Sequence, residues 1–448
     1  MRIKTDLPLT LKEIANNVDS STSINGKINA ICTDSRKCEM GDLFIALSGD
    51  RYNGADFIDE ARRKGAFIMA TENADIKVTD TENALLKISS YYKRIINPAH
   101  TVAITGSIGK TTVKDFTYSL LSKAFVSHKT EGNYNNALGL SYTLLSMKKK
   151  TETLICEFGM NHTGEISKLS KAIAPDIAII TNIGSAHIGN LGSREKIAEA
   201  KLEIRDGMTD GRIIVNQNEP LLKSVKNPYF ISYTDQSANL YAEILSITPV
   251  NSVLKIQTER FKAEIETSLY SRQQLDSLLY AISVCDILGM CAEKIFAYVK
   301  EISPSSLRQK FIRENGYTIY DDSYNSSPEA VINDLRMLSE RSDNNSVVLG
   351  DMLELGEYSE ALHFKIGTEC ARFGFKKLYA FGKYSRIIAK GATDTGMDSE
   401  KVFTNEDISK PQITAKQISE SYEGETLLVK ASHFVNADRI IKILLNKE

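Results

Sequence analysis

The side chains best suited to phosphate chemistry sit in one short stretch, Thr105–Thr112, T-G-S-I-G-K-T-T. It follows an apolar run rich in β-branched residues, Thr101-Val102-Ala103-Ile104, and leads into Val113–Phe125, which reads as a helix. A strand, a glycine loop and Gly-Lys-Thr at a helix start form a phosphate cradle: backbone N–H groups make an anion nest and the helix terminus adds partial positive charge. Thr105, Gly106, Ser107, Gly109 and Thr112 belong to that cradle, Lys110 would reach the outer phosphates, and the Thr111 hydroxyl would hold Mg²⁺. The first glycine of a full Walker A falls at Ile104, so the pattern is a G-x-x-G-K-T-T variant. An ordinary strand–turn–helix with a surface lysine is the competing reading.

Further polar groups follow at the ends of predicted strands, where open α/β sheets gather their ligands. Glu157, in C-E-F-G-M-N-H, ends an apolar strand, where a carboxylate is costly unless paired or metal-bound. Beside a phosphate loop a magnesium role outweighs a helix-start role, because Mg²⁺ takes hard oxygen ligands. His187, in T-N-I-G-S-A-H, is equally a surface histidine by pattern alone, and Lys201, in E-A-K-L-E-I, a solvated helix lysine. Asn135 and Asn136 lie in E-G-N-Y-N-N-A-L-G, an amide-rich loop expected between two helices, which offers either ligand contacts or turn caps. Asp322 and Asn325 lie in Y-D-D-S-Y-N-S-S-P, suited to ribose hydroxyls or to capping the next helix, and Arg308 is placed to reach phosphate across a cleft. Near the start, Ser35 and Arg36 in T-D-S-R and Asn53 in S-G-D-R-Y-N-G suit a ligand with phosphates or sugar hydroxyls.

The elements that must position these groups divide the 448 residues into about three units, as a length prior of roughly 150 residues per domain suggests. Residues 1–98 read as a small α/β unit: helices at Leu9–Val18 and Ala55–Lys64, strands at Ile28–Thr33 and Asp42–Leu47. Residues 99–306 alternate strand and helix, with strands at Thr101–Thr105, Thr153–Glu157, Ile177–Thr181 and Arg212–Asn216, a β-ribbon over Asn239–Thr267 and a helix at Leu275–Leu288. This predicts a mostly parallel sheet with helices on both faces. A boundary near Ile302–Ser306 precedes a smaller Rossmann-like α/β unit, 307–448, with strands at Thr318–Asp321, Ser346–Leu349, Lys377–Phe381 and Thr426–Lys430. The net charge of −2 gives no case for a nucleic-acid surface. Six scattered cysteines fit free thiols in a reducing cytoplasm. The opening residues lack an apolar signal core, and no apolar run approaches the ~20 residues of a membrane span.

Together these clusters resemble the Mur ligases, ATP-dependent amide-forming ligases of peptidoglycan synthesis, over essentially the whole chain. T-D-S-R-K-C-E-M-G-D-L-F-I-A-L-S-G-D-R-Y-N-G looks like the family's UDP-sugar-binding domain. T-G-S-I-G-K-T-T looks like its phosphate loop, and E-F-G-M-N-H-T-G-E-I with N-I-G-S-A-H-I-G-N-L-G-S and E-A-K-L-E-I like its metal-binding middle. D-D-S-Y-N-S-S-P-E-A and L-G-D-M-L-E-L-G-E-Y-S-E-A-L-H are similar to the branch that adds D-alanyl-D-alanine to UDP-N-acetylmuramoyl-tripeptide. The resemblance implies ATP and two Mg²⁺ ions. Lys110 and Thr111 would serve the phosphates and first metal with Glu157, His187 the second metal, and Lys201 would be carbamoylated. It further implies Arg308, Asp322 and Asn325 at ATP, Ser35, Arg36 and Asn53 at the UDP moiety, Asn135 and Asn136 at substrate, and Lys430 and Ser432 at the amine. The product would form through an acyl phosphate, in a cytoplasmic monomer without nucleic-acid or membrane partners. The chain departs from the family at Arg272–Asp276 (R-Q-Q-L-D for H-N-x-x-N) on the adenine side and at K-A-S-H (430–433) on the amine side. A divergent ligase for another amine, and a nucleotide-binding scaffold without catalysis, are the alternatives.

Overall fold

Unbroken apolar runs such as Ile177-Ala178-Ile179-Ile180 suit only strands covered on both faces, and such strands form the centre of the molecule. The computed structural model describes residues 1–49, 52–248, 250–302 and 310–447; Arg308 and most of the expected 302–306 boundary lie outside them. The first sheet runs β1 (Arg2–Ile3), β2 (Ile31–Cys32), β3 (Leu43–Ile45), β4 (Phe67–Ala70), β5 (Ile76–Lys77), parallel except for β1. Its helices are α1 (Leu11–Asn17), opened by a Thr10–Glu13 capping box, α2 (Ile58–Arg63) and α3 (Thr81–Ile96).

The central sheet has nine strands. In chain order they are β6 (His100–Thr105), β7 (Ser127–Lys129), β8 (Thr153–Glu157), β9 (Ile177–Ile180), β10 (Arg212–Asn216), β11 (Pro228–Ser232), β12 (Leu240–Ile247), β13 (Ser252–Thr258) and β14 (Lys262–Thr267). Their spatial order is β14-β13-β12-β11-β10-β9-β6-β8-β7, parallel from β12 to β7, with β12–β14 as the expected antiparallel ribbon. Helices α4 (Lys110–Leu121) and α5 (Arg272–Ile287) cover one face, burying Val113, Phe116 and Leu120 against Leu275, Leu278 and Leu279. Helices α6 (Ala137–Leu145), α7 (Glu165–Ile173) and α8 (Arg194–Leu202) carry buried residues of the core on the other. The third sheet runs β15 (Lys310–Glu314), β16 (Tyr317–Asp321), β17 (Thr426–Lys430), β18 (Asn345–Gly350), β19 (Leu378–Phe381), β20 (Val402–Asn405), parallel except for β15.

Several elements differ from expectation, among them the short strands Arg2–Ile3, Phe67–Ala70, Pro228–Ser232, Lys310–Glu314 and Val402–Asn405, which the sequence did not announce. Helix α4 begins at Lys110 rather than Val113, because Gly109 turns the chain directly into the first helical turn. Residues Ser127–Lys129 form an edge strand along β8, so the amide-rich loop joins a strand to a helix, not two helices. Three residues without alternation carry too little pattern to announce that strand. Helix α3 was unassigned; its Tyr92 hydroxyl accepts from Asp6 and Leu7 N–H (2.9 and 3.1 Å) and donates to Met147 O (3.2 Å), joining the first sheet to the second. The third sheet is strapped to the central ribbon by Arg341, whose Nη2 donates to Tyr270 O (2.6 Å) and Thr248 O (3.2 Å) while the guanidinium lies 4.9 Å from the Tyr270 ring and 5.5 Å from Phe311. Among the described residues no helix is long and apolar enough to cross a membrane, and the six cysteines are free thiols.

Candidate functional site

The phosphate loop joins the carboxyl end of β6 to α4, and the end of β9 laces it in place. Ser107 N–H donates to Asn182 O (3.1 Å), Ile108 N–H to Asn182 Oδ1 (3.0 Å), and Gly184 N–H to Ser107 Oγ (2.9 Å). Thr181 Oγ1 and Asn182 Nδ2 both donate to Ile108 O, at 2.5 and 3.0 Å. No side chain caps the start of α4, so its first N–H groups face the loop available to an anion. Lys110 Nζ arches over the loop, 2.8 Å from Gly106 O and 3.5 Å from Ser107 O. Thr105 is buried, with its hydroxyl donating to Phe158 O (3.1 Å).

Glu157 comes from the adjacent strand β8 and is 2 % exposed. Thr111 Oγ1 donates to its Oε2 (2.9 Å) and Asn135 Nδ2 to its Oε1 (3.1 Å). Among the described residues no lysine or arginine pairs with it, so a buried carboxylate is held by neutral donors alone. A hydroxyl and a carboxylate converging without a counter-charge are what a hard divalent cation fits. Lys201, on α8, is also 2 % exposed and has no hydrogen bond or ion pair among the described residues. Burial, and then the charge of Lys110, push its amine well below the ordinary lysine range. His187 adopts a left-handed backbone (φ +65°), and its Nδ1 lies 2.5 Å from Glu354 Oε2, close but poorly aligned as a hydrogen bond. No three His, Cys, Asp or Glu side chains converge among the described residues, so any metal here draws on the mixed donors just described.

Beside the loop lies a cavity of about 370 Å³, walled by Gly109, Asn182, Gly184, Asn216, Gln273 and Tyr280 from the central sheet and by Glu329 and Asn333 from helix α9 (Pro328–Ser339) of the third. Asp276, of the R-Q-Q-L-D stretch, also lines it, while Arg272 stacks 3.4 Å from the Tyr233 ring centre. The third sheet meets the loop after β9 directly. Ser185 N–H and Oγ donate to Glu329 Oε1 (2.9 and 2.7 Å), Gly189 N–H to Glu354 O (3.1 Å), and the Tyr358 hydroxyl to Gly192 O (2.9 Å). A Cβ on Gly189 would strike the Gly356 backbone, so this crossing needs glycine.

The remaining expected residues are spread around this centre. Asn136 caps α6 through Gly139 N–H (2.9 Å). Ser35 is buried with its hydroxyl on Glu60 (2.6 Å), Arg36 is exposed beside Asp34, and Asn53 caps Ala55 N–H (3.1 Å). The T-D-S-R turn faces α6 through a 2.9 Å Thr33–Tyr142 hydroxyl contact, on the side of the amide-rich loop. Thr112 lies in the first turn of α4, and Asn325 is exposed in a loop whose Ser323, Ser326 and Ser327 are buried. Lys430 is fully buried, ion-paired with Asp322 and with Asp334 at 2.9 Å, so its ammonium faces two aspartates; Ser432 Oγ accepts from Leu353 N–H (2.9 Å). Glu329 and Glu354 were not singled out from the sequence. Glu329 reads there as a helix-start carboxylate after Pro328, and Glu354 as one acid among several after a strand; only tertiary contact brings them to the loop.

The sequence matches three family models: "Mur ligase family, catalytic domain" over residues 27–103, "Mur ligase middle domain" over 104–285 and "Mur ligase, glutamate ligase domain" over 307–433. It is 31% identical to UDP-N-acetylmuramoyl-tripeptide–D-alanyl-D-alanine ligase of Bacillus subtilis (strain 168), covering 93% of each chain. To the enzyme of that name from Rickettsia prowazekii it is 32% identical, over 96% of this chain and 97% of the other. Its structure is similar to MurF from Acinetobacter baumannii (TM-score 0.90, 26% identity, 98% and 99% covered) and to Thermotoga maritima MurF in complex with ADP (TM-score 0.83, 27% identity, 93% and 97% covered). A three-sheet α/β chain whose laced phosphate loop opens onto a cavity shared by two sheets thus finds its relatives along its whole length, and it belongs to the Mur ligase family of ATP-dependent ligases.

Proposed function

We propose that this chain joins D-alanyl-D-alanine to UDP-N-acetylmuramoyl-tripeptide with conversion of ATP to ADP and phosphate, the reaction its relatives' names describe. The observation that carries it is the convergence of Thr111 and Glu157 at a phosphate loop with a buried, unpaired Lys201 amine nearby. In this reading residues 1–98 take the UDP-linked substrate through Ser35, Arg36 and Asn53, and Asn135 and Asn136 of the central unit hold substrate from the other side. Residues 99–306 take ATP, and 307–448 take the amine on the side of Ser432, with Lys430 fixing the strand end from its buried pair with Asp322. Arg308, Asp322 and Asn325 complete the nucleotide site. The chain works as a cytoplasmic monomer on small-molecule substrates.

The loop N–H groups and Lys110 take the nucleotide phosphates, and Lys110 neutralises charge gathering on the transferred group as the substrate carboxylate attacks the γ-phosphate. Thr111 and Glu157 would hold one Mg²⁺, His187 and carbamoylated Lys201 a second; bound there, the ions supply charge neutralisation on the phosphates. A neutral Lys201 amine adds to CO₂, giving an anionic carbamate and releasing a proton, which turns a buried cationic group into an oxygen donor. Contacts from Glu329 and Tyr358 bring the third sheet against the loop after β9, and so exclude water that would hydrolyse the acyl phosphate.

Phosphate release from ATP with UDP-muramoyl-tripeptide, with and without D-alanyl-D-alanine, tests the reading: release is expected to require both substrates. No release with any amine refutes the ligase reading, and release only with another amine moves the chain to a different ligation. Lys201→Ala is expected to lose activity by about 10²-fold or more, the scale of the metal's charge stabilisation, without rescue by bicarbonate. Undiminished activity in that variant sinks the carbamate role.

A further inference from the structure

One carboxylate of the third sheet is aimed at the reacting centre and has no part in the chemistry above. Glu354 follows the carboxyl end of β18 in D-M-L-E-L-G. It holds a left-handed backbone at φ +65°, as does His187, which it meets. Two non-glycine residues in that sparsely populated region, touching across a domain junction, mark a place where side-chain aim is held against local strain. The Glu354 side chain is about half exposed (49 %), and the Lys110 ammonium is near enough for its charge to act on it.

The neighbouring acids at this sheet edge are committed elsewhere. Asp322 is held by Lys430, Asp351 accepts from Lys383 and Tyr384 N–H (2.9 Å each), and Glu329 accepts from Ser185 while its other oxygen is buried. Glu354 alone among these four combines half exposure with a contact to His187. Next to it Leu353 (40 % exposed) is tied through its N–H to Ser432 Oγ, two residues from the exposed Phe434. A half-exposed carboxylate with Leu353 beside it in the chain thus meets His187 at a centre that also carries the Lys110 ammonium.

A ligation needs an amine at this centre, and a free α-amine arrives as an ammonium ion. Lys110 repels it, and a carboxylate on the facing sheet offsets that repulsion and gives the ammonium a fixed partner. We propose that Glu354 receives the ammonium group of the incoming amine substrate, with Leu353 and Phe434 flanking its small apolar side chains, and so selects for a free amino terminus. This assignment rests on the ligase reading above.

The test uses the full-length chain, wild type and Glu354→Gln, Glu354→Asp and Glu354→Ala, with thermal melts to confirm folding. Steady-state rates are measured against D-alanyl-D-alanine concentration at saturating ATP and UDP-muramoyl-tripeptide. In parallel, acyl phosphate formed without amine is trapped by borohydride reduction, and the Mg²⁺ requirement is titrated. Glu354→Gln is expected to raise KM for the amine at least tenfold while trapped acyl phosphate and Mg²⁺ requirement stay within twofold, and Glu354→Asp to restore part of the loss. An unchanged amine KM overturns the assignment. So does an equal fall in trapped acyl phosphate or a raised Mg²⁺ requirement, which would place Glu354 in the phosphate or metal site. Absence of acyl phosphate in the wild type would instead overturn the ligase reading itself, and this assignment with it.

Discussion

Lys430 is fully enclosed between Asp322 and Asp334, and this buried triad carries two carboxylates for one ammonium. Burial raises Asp334 to about 8 against the opposing pull of Lys430. Its unfolded value is near 3.8, so between these limits the native state holds a proton that the unfolded chain has lost. Stability contributed by this group is therefore present below about pH 4 and falls as pH rises toward about 8, by at most about 1.4 kcal/mol per pH unit for one proton. Asp334→Asn, which is neutral throughout, is expected to flatten the decline in Tm between pH 5 and pH 8; a variant whose slope matches the wild type contradicts it. The same residue shows a limit of reading from sequence. The family resemblance puts Lys430, in K-A-S-H, at the amine substrate, and nothing in that stretch announces that the side chain is buried. Its burial depends on Asp334, which lies 96 positions away and gives no local signal.

The phosphate loop shows why single positions of an element cannot be exchanged. Gly106 sits at φ +148°, and a Cβ there would press into the Thr181 side chain, which anchors the loop through Ile108 O. Gly106→Ala is expected to lose on the order of 1–3 kcal/mol of stability and to abolish nucleotide binding. Calorimetric binding of ATP at wild-type affinity by the variant would refute this. Elements were legible where a pattern was chemically marked: β6, β8, β9 and β10 each hold three or four consecutive apolar residues, and the loop has its Gly-Lys-Thr. The strand Ser127–Lys129 was not, because an edge strand of S-H-K takes its form from pairing with β8 rather than from its own residues. Asn135 was singled out as an amide in a loop; that it holds Glu157 follows from the loop starting at that hidden strand.

At the scale of the whole molecule, the third sheet touches the central one along two lines. One is the Arg341 strap at the ribbon, the other the loop after β9, with Ser185, Gly189 and Gly192. The second line depends on the close crossing of Gly189 and Gly356, where a methyl group has no room. Gly189→Ala is expected to part this line while the strap holds, seen as a larger radius of gyration by small-angle X-ray scattering and a loss of ligation; an unchanged radius argues against it. Neither line was readable in the sequence, since both join residues of ordinary type from separate folding units. Their joint consequence concerns time. The cavity beside the phosphate loop takes walls from both sheets, Gly109 and Tyr280 from one and Glu329 and Asn333 from the other. An occupant touching both walls loses one of them when either line parts. A rotation of the third sheet that parts them moves it through solvent, a step slowed by friction with the medium and indifferent to how easily bonds form.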